Sequence, residues 1–198
     1  MKIKTIIFLL TLPALTLFSA SCGVPGNVPD DSAAESDTAA EERPSESDFP
    51  DICSFNAATL DGGEFSEADL DSYDLTMINI WQTSCGPCVR EMPQLADLNA
   101  LLPDNVQMIT YCLDAGYFPE EAASILAKAG LDTICLTDSD GDMLDLINAV
   151  MYVPTTVFVD SGGRQIGEAQ IGAPGNAVDF YKDAINQALR QLGKDEMP

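Results

Sequence analysis

The spacing of apolar positions changes period several times along this chain, and each change marks an element. Thr76-Met77-Ile78-Asn79-Ile80-Trp81 is a nearly unbroken apolar run of strand length, and Val89, Met92, Leu95, Leu98 and Leu102 recur at helical spacing just after it. Upstream, Ile52 to Leu60 and Gly63 to Phe65 flank the turn pair Asp61-Gly62 and predict a hairpin, with Ser66 to Tyr73 a loop or single helical turn. Downstream, Val106 to Leu113 reads as a strand, Pro119 to Ala129 as a helix stopped by Gly130, and Thr133 to Thr137 as a further strand, which together make a βαβ unit. Asp142 to Val150 is a short helix. Thr155 to Val159 and Gln165 to Ile171 predict a second hairpin across Asp160 to Arg164, and Asn176 to Leu192 a closing helix with Gly193 beyond it. The class is α/β, without internal repeat.

The first 48 residues do not join this pattern. Lys2 and Lys4 precede the apolar run Ile6 to Phe18, and the small residues Ser19-Ala20-Ser21 precede Cys22, which reads as an export signal over 1–21. Cys22 after small residues resembles a bacterial lipobox, with Ser19 where leucine is usual, and so predicts a diacylated N-terminus anchored in the membrane; ordinary cleavage and an uncleaved anchor are the alternatives. Residues 22–48 are rich in Pro, Ser, Ala, Asp and Glu, lack aromatics and predict a disordered acidic tether, leaving 49–198 as the folded domain. The chain of 198 residues carries 32 acidic and 9 basic residues, and from Phe49 onward 24 acids still face six bases. Such a surface repels phosphate backbones, which excludes nucleic acid as a partner and favours solubility.

The chemistry is concentrated where the strand meets the helix, in Cys85-Gly86-Pro87-Cys88. A thiol at a helix N-terminus faces unpaired N–H groups and the positive end of the helix dipole, both of which favour the thiolate. The two-residue spacing puts Cys88 about one turn away, close enough to bond, so that Cys85 attacks and Cys88 resolves. Pro87 suits the first turn, and Gly86 lets another backbone approach. Half of a zinc site is the other reading of Cys-x-x-Cys, but there is no second such pair and no histidine, so no metal and no cofactor are expected.

Trp81 through Pro93 resembles the active-site segment of the TlpA-like and ResA-like thioredoxin-fold oxidoreductases, which are membrane-attached extracytoplasmic thiol–disulfide enzymes. Val153-Pro154-Thr155-Thr156-Val157-Phe158-Val159-Asp160 resembles the family strand that opens with a cis-proline, and Gly162-Gly163-Arg164 the turn after it. The resemblance runs from about Phe49 to Leu192. It implies a thioredoxin fold with an N-terminal hairpin extension and an inserted βαβ unit. It also places Pro154 against Cys85, with the Val153 backbone free to pair with an extended substrate; Trp81, Gly86 and Pro87 complete the expected docking surface. Two positions depart from relatives. Ser84 stands where many carry a second tryptophan, and Asn79 stands where thioredoxin proper has a buried aspartate, as is common in the TlpA-like branch.

Glu91 follows Cys88 by three residues, so its carboxylate falls on the helix face that carries the resolving sulfur and can take that thiol's proton. The resemblance points the same way, since the family places a functional glutamate at the matching position; a surface glutamate pairing with Arg90 is the other reading. Of the remaining cysteines, Cys112 and Cys135 fall on neighbouring parallel strands, where either a structural disulfide or two buried thiols fit, and Cys53 is left unpaired. The expected activity is reduction of protein disulfides outside the cytoplasm, in cell redox homeostasis or cytochrome c biogenesis, with a membrane thiol-transfer protein as electron donor. A monomer is the default. The rivals are a thiol peroxidase-like redoxin, whose Thr-x-x approach to the nucleophile is missing here, a copper carrier, which would need a histidine, and a non-enzymatic lipoprotein binding module with a structural Cys85–Cys88 bond.

Overall fold

The computed structural model describes residues 49–198, and the expectations for the leader, Cys22 and the tether fall on residues outside that range. A single sheet organises the described part, in the order β2-β1-β5-β4-β3-β6-β7. The strands are β1 Asn56–Thr59, β2 Glu64–Ser66, β3 Leu75–Trp81, β4 Val106–Cys112, β5 Ile134–Ser139, β6 Thr155–Asp160 and β7 Gln170–Ile171. Four helices cover it: α1 Gly86–Asn99, α2 Pro119–Ala129, α3 Gly141–Ala149 and α4 Ala177–Gln191. The predicted βαβ unit is β4-α2-β5, with β5 parallel to β4 and β4 parallel to β3. The hairpin β1-β2 extends the sheet beyond it, β1 running antiparallel to β5.

β3 lies deep in the sheet and all seven of its residues are buried, which explains an apolar run where a half-exposed strand would alternate. Its two faces feed two cores. Leu75, Met77 and Trp81 pack with α1, α2 and α4, whereas Ile78 and Ile80 pack with Met143 and Leu146 of α3 and with Ile52, Phe55 and Phe65 from the N-terminal segment and hairpin. The helices answer with stripes. α1 buries Cys88, Glu91, Met92, Leu95 and Leu98, and α4 buries Ala177, Tyr181, Ile185, Ala188 and Leu189. Truncating a fully buried residue such as Leu95 to alanine costs about 2–5 kcal/mol.

One expectation is corrected in detail. The strand predicted over Gln165 to Ile171 shrinks to Gln170–Ile171, preceded by a single bridge between Val159 and Gln165, because the chain passes through left-handed backbone at Gly167 (φ +75°) and leaves the ladder. Cys112 and Cys135 are both buried free thiols. The register sets Cys135 opposite Thr110, two positions short of Cys112, so the two cysteines are not a directly opposed pair and the buried-thiol alternative describes this state. The exposed Cys53 is also free.

The N-terminal segment crosses the α3 side of the sheet. Ile52 donates its N–H to the Gly163 carbonyl at 2.8 Å, the Asp51 carboxylate accepts from the Gln165 N–H at 2.8 Å, and the Asp142 N–H donates to the Ser54 carbonyl at 2.9 Å. Both contact points need glycine. A Cβ at Gly163 would collide with the Ile52 carbonyl and one at Gly141 with the Ser54 carbonyl, and both residues have positive φ.

Candidate active site

Cys85 ends the turn after β3 and caps α1, and it is joined to Cys88 by a disulfide with Cα atoms 5.3 Å apart. The Cys85 sulfur accepts the Cys88 backbone N–H at 3.2 Å, an otherwise unpaired donor of the first helical turn. That N–H favours negative charge on the same sulfur when the disulfide is open. Exposure divides the pair. Cys85 is half-buried beside the exposed Gly86 and Pro87, whereas Cys88 is fully buried, so an incoming disulfide reaches Cys85 alone.

The Val153–Pro154 bond is cis, as the resemblance implied, and the Val153 carbonyl oxygen lies 3.6 Å from the Cys85 sulfur. In the disulfide state that sulfur has no proton, so this is a contact and not a hydrogen bond. Neighbours hold the loop from both sides: the Thr155 hydroxyl donates to the Tyr152 carbonyl at 2.8 Å and the Gly172 N–H to the Pro154 carbonyl at 2.8 Å. Among the described residues no backbone group pairs with Val153. Met151 and Tyr152, just before it, are 71% and 65% exposed. An open backbone beside exposed apolar side chains suits an extended chain laid across Cys85.

Trp81 does not belong to this surface. It is fully buried in the α1 and α4 core with Cys88 and Met92, and so it supports the helix from beneath and cannot touch a partner. A side chain that the sequence reading passed over lies closer to the nucleophile. Asp114, just beyond β4, accepts the Thr83 N–H at 2.9 Å, the Thr83 hydroxyl at 2.7 Å and the Cys112 thiol at 3.3 Å, pinning the turn two residues before Cys85. Burial alone would raise its pKa, but these donors outweigh it and hold the carboxyl below the usual range.

Glu91 is 2% exposed, inside the apolar stripe of α1, and not on the surface with Arg90. Burial drives its pKa up to about 7, and one donor opposes the rise, the Tyr181 hydroxyl at 2.7 Å. Tyr181 lies 3.0 Å from the Thr156 hydroxyl, which in turn accepts the Asn79 side-chain amide at 2.9 Å. Four elements thus contribute one residue each to a buried polar row. The second Glu91 oxygen, Oε2, has no partner among the described residues. A carboxyl that is about half ionised at neutral pH, on the helix face of a buried thiol, can exchange a proton with it.

The surrounding fold is α/β and thioredoxin-like, and known proteins share it. A secreted disulfide oxidoreductase of Mycobacterium tuberculosis, homologous to E. coli DsbE, superposes with a TM-score of 0.53 at 25% identity, covering 66% of this chain and 92% of that one. A DsbF homologue from Corynebacterium diphtheriae has the same fold, with a TM-score of 0.55 at 20% identity over 68% of this chain and 82% of its own. The thiol:disulfide interchange protein HelX of Rhodobacter capsulatus is 30% identical over 100 residues, 50% of this chain and 54% of HelX, so the chain spans about half the length of that curated relative. Residues 44–185, which include the disulfide, the cis-proline loop and Tyr181, match the Redoxin family, and the chain belongs to that family.

Proposed function

We propose that this protein is an extracytoplasmic thiol–disulfide oxidoreductase of the TlpA-like and ResA-like kind, tethered through Cys22 and working as a reductase of protein disulfides. The observation that carries the reading is the Cys85–Cys88 pair capping α1, with Cys85 half-buried, Cys88 sealed and an unpaired Val153 carbonyl 3.6 Å from the outer sulfur. The Gly-Pro pair between the cysteines is thioredoxin's own, which favours reduction. The name of the Mycobacterium tuberculosis neighbour describes a secreted oxidoreductase, in keeping with export here.

In the reduced protein the Cys85 thiolate attacks one sulfur of a substrate disulfide, forming a Cys85–substrate bond and expelling the other substrate sulfur as a thiolate that takes a proton from solvent. Cys88 then gives its proton to the Glu91 carboxylate and attacks Cys85. The Cys85–substrate bond breaks, the second substrate sulfur leaves, and the Cys85–Cys88 disulfide remains. Two electrons have passed to the substrate. A membrane thiol-transfer protein restores the dithiol.

Insulin reduction with dithiothreitol tests the activity: the wild type accelerates precipitation over background, and no acceleration would return the pair to a structural disulfide. A Cys88→Ser variant should retain substrates as mixed disulfides on Cys85. Capture by Cys85→Ser in its place would reverse the roles of the two cysteines. Partitioning into detergent should be lost in Cys22→Ala, and a variant that partitions as before would remove the lipid anchor from the proposal.

A further inference from the structure

With Glu91 ionised, the row running from Asn79 to Glu91 has only one possible direction. Tyr181 has a single proton, and it is spent on Glu91 at 2.7 Å. Toward Thr156 the phenol oxygen can therefore only accept, so Thr156 donates to it at 3.0 Å and accepts the Asn79 amide at 2.9 Å. Every donor points toward the carboxylate. The row ends on Oε1, and Oε2, buried and unpartnered, is the atom left to receive a proton. Thr156 is two residues beyond Pro154, so the strand that begins at the docking loop also holds the phenol.

We infer that Tyr181 is a positioning residue for Glu91: its hydroxyl, set by Thr156, fixes one carboxylate oxygen and keeps the group in the ionised form that accepts the resolving thiol's proton on the other. This rests on the base role given to Glu91 in the proposed function. The geometry leaves few competitors. From α4 the titratable group facing Glu91 is Tyr181, β3 and β6 offer the uncharged Asn79 and Thr156, and α2 brings no charge onto it. On its own helix the neighbouring titratable group is Cys88. No cation neutralises Glu91, since the ion pairs among the described residues join Arg164 to Asp160, Arg190 to Glu196 and Lys194 to Asp74. With burial pushing the carboxyl to about 7, the Tyr181 donor is the interaction that holds it down.

The step at issue is unchanged in its balance: the Cys88 S–H bond breaks, an O–H bond forms on Glu91 Oε2, the Cys88–Cys85 bond forms, and the Cys85–substrate bond breaks with the electron pair leaving on the substrate sulfur. Without the Tyr181 donor, the carboxyl protonates at higher pH and is unable to take the proton near neutrality. Tyr181→Phe keeps the ring, its packing and its edge contact with Phe180, and removes only the hydroxyl.

The experiment follows release of a fluorescent peptide from its mixed disulfide with Cys85, as a function of pH, in the full chain. The wild type should show a rise in rate with a midpoint near 7. Glu91→Gln should lose the rise near 7 and keep only the one at higher pH where Cys88 ionises unaided, and Tyr181→Phe should move the midpoint up by about one pH unit, a roughly fivefold slower release at pH 7 with full recovery above the new midpoint. Thr156→Val, which leaves the phenol in place but frees its orientation, should shift the midpoint in the same direction by less. The failures separate. No release in wild type defeats the oxidoreductase reading, a Glu91→Gln profile like wild type defeats the base, and an unshifted midpoint in Tyr181→Phe with the rise near 7 lost in Glu91→Gln overturns this inference alone. A uniform loss of rate in Tyr181→Phe at all pH values would also overturn it, because that is the mark of a merely structural tyrosine.

Discussion

Two carboxylates bracket the disulfide, and they have been driven in opposite directions. Asp114 lies at the rim, partly exposed, with three donors gathered on it, and is held below the usual carboxylate range. Glu91 is sealed in the helix stripe with one donor, and is pushed up to about 7. The functional group is the same, so what differs is the count of donors against the loss of water. Asp114 is thereby a fixed anion and suits a strut, whereas Glu91 changes charge at working pH and suits proton transfer. Each also belongs to one cysteine: Asp114 pins the turn that presents Cys85, and Glu91 shares the face of Cys88.

The contrast is sharpened most by stability against pH. An unfolded glutamate titrates near its ordinary value of 4.5 while the folded one holds its proton to about 7, so the folded state loses stability as pH rises between these values and levels off above. The loss is roughly 3 kcal/mol. Asp114 acts with the other sign, contributing stability above the ordinary carboxylate range that is lost as pH falls below it. Urea melts from pH 3 to 8 should therefore peak between the two regimes, with the upper slope missing in Glu91→Gln; an unchanged upper slope in that variant would mean that Glu91 is not the group responsible.

Next in size is the rate of the resolving step. Glu91→Gln should slow disulfide exchange at pH 7 by up to about 10²-fold, with the deficit shrinking as pH rises and Cys88 ionises unaided. Stopped-flow oxidation by a peptide disulfide measures it. Asp114→Ala should weaken folding by about 1–2 kcal/mol, because the Thr83 N–H and hydroxyl lose their acceptor, and should lower turnover without moving its pH midpoint. If Asp114→Ala moves the midpoint as well, the division of labour between the two carboxylates collapses. The smallest effect concerns the other thiols. Burial pushes Cys112 and Cys135 up, so neither should alkylate in the native protein at pH 8, and Cys53, raised by slight burial and by Asp51, Asp142 and Asp160, should alkylate slowly and faster in high salt. Mass mapping of alkylated native protein reads all three at once.

The sequence made one side of this contrast legible and left the other dark. Cys85 and Cys88 announce themselves by spacing, Pro154 by resemblance, and Glu91 by falling three residues after Cys88 on one helix face. The partners of Glu91 come from β3, β6 and α4, up to 90 residues away: resemblance puts Asn79 at a buried position without saying what it bonds, and Tyr181 reads as one more member of an apolar stripe. A hydroxyl inside a core stripe was the available cue. Asp114 carried none, because loop acids are abundant in so acidic a chain. The resemblance places Trp81 on the docking surface, but the two-residue alternation of β3 sends it into the α1 core.

The stitching of the N-terminal segment to Gly163 has a mechanical consequence. β6 runs antiparallel to β3, pairing Asp160 with Leu75 and Thr155 with Ile80, so the Gly163 turn and the cis-proline loop lie at opposite ends of the sheet, separated by a strand length of about 20 Å. The backbone enters near Gly163, where Ile52 and Asp51 are bonded. A pull applied through Phe49 is therefore borne by the Asp160–Gln165 turn and the α3 side, and the α1 N-terminus stays unloaded. Whatever docks at Cys85 approaches from the end facing away from Gly163, so a load entering at Phe49 and a partner held at Cys85 act on opposite ends of β6.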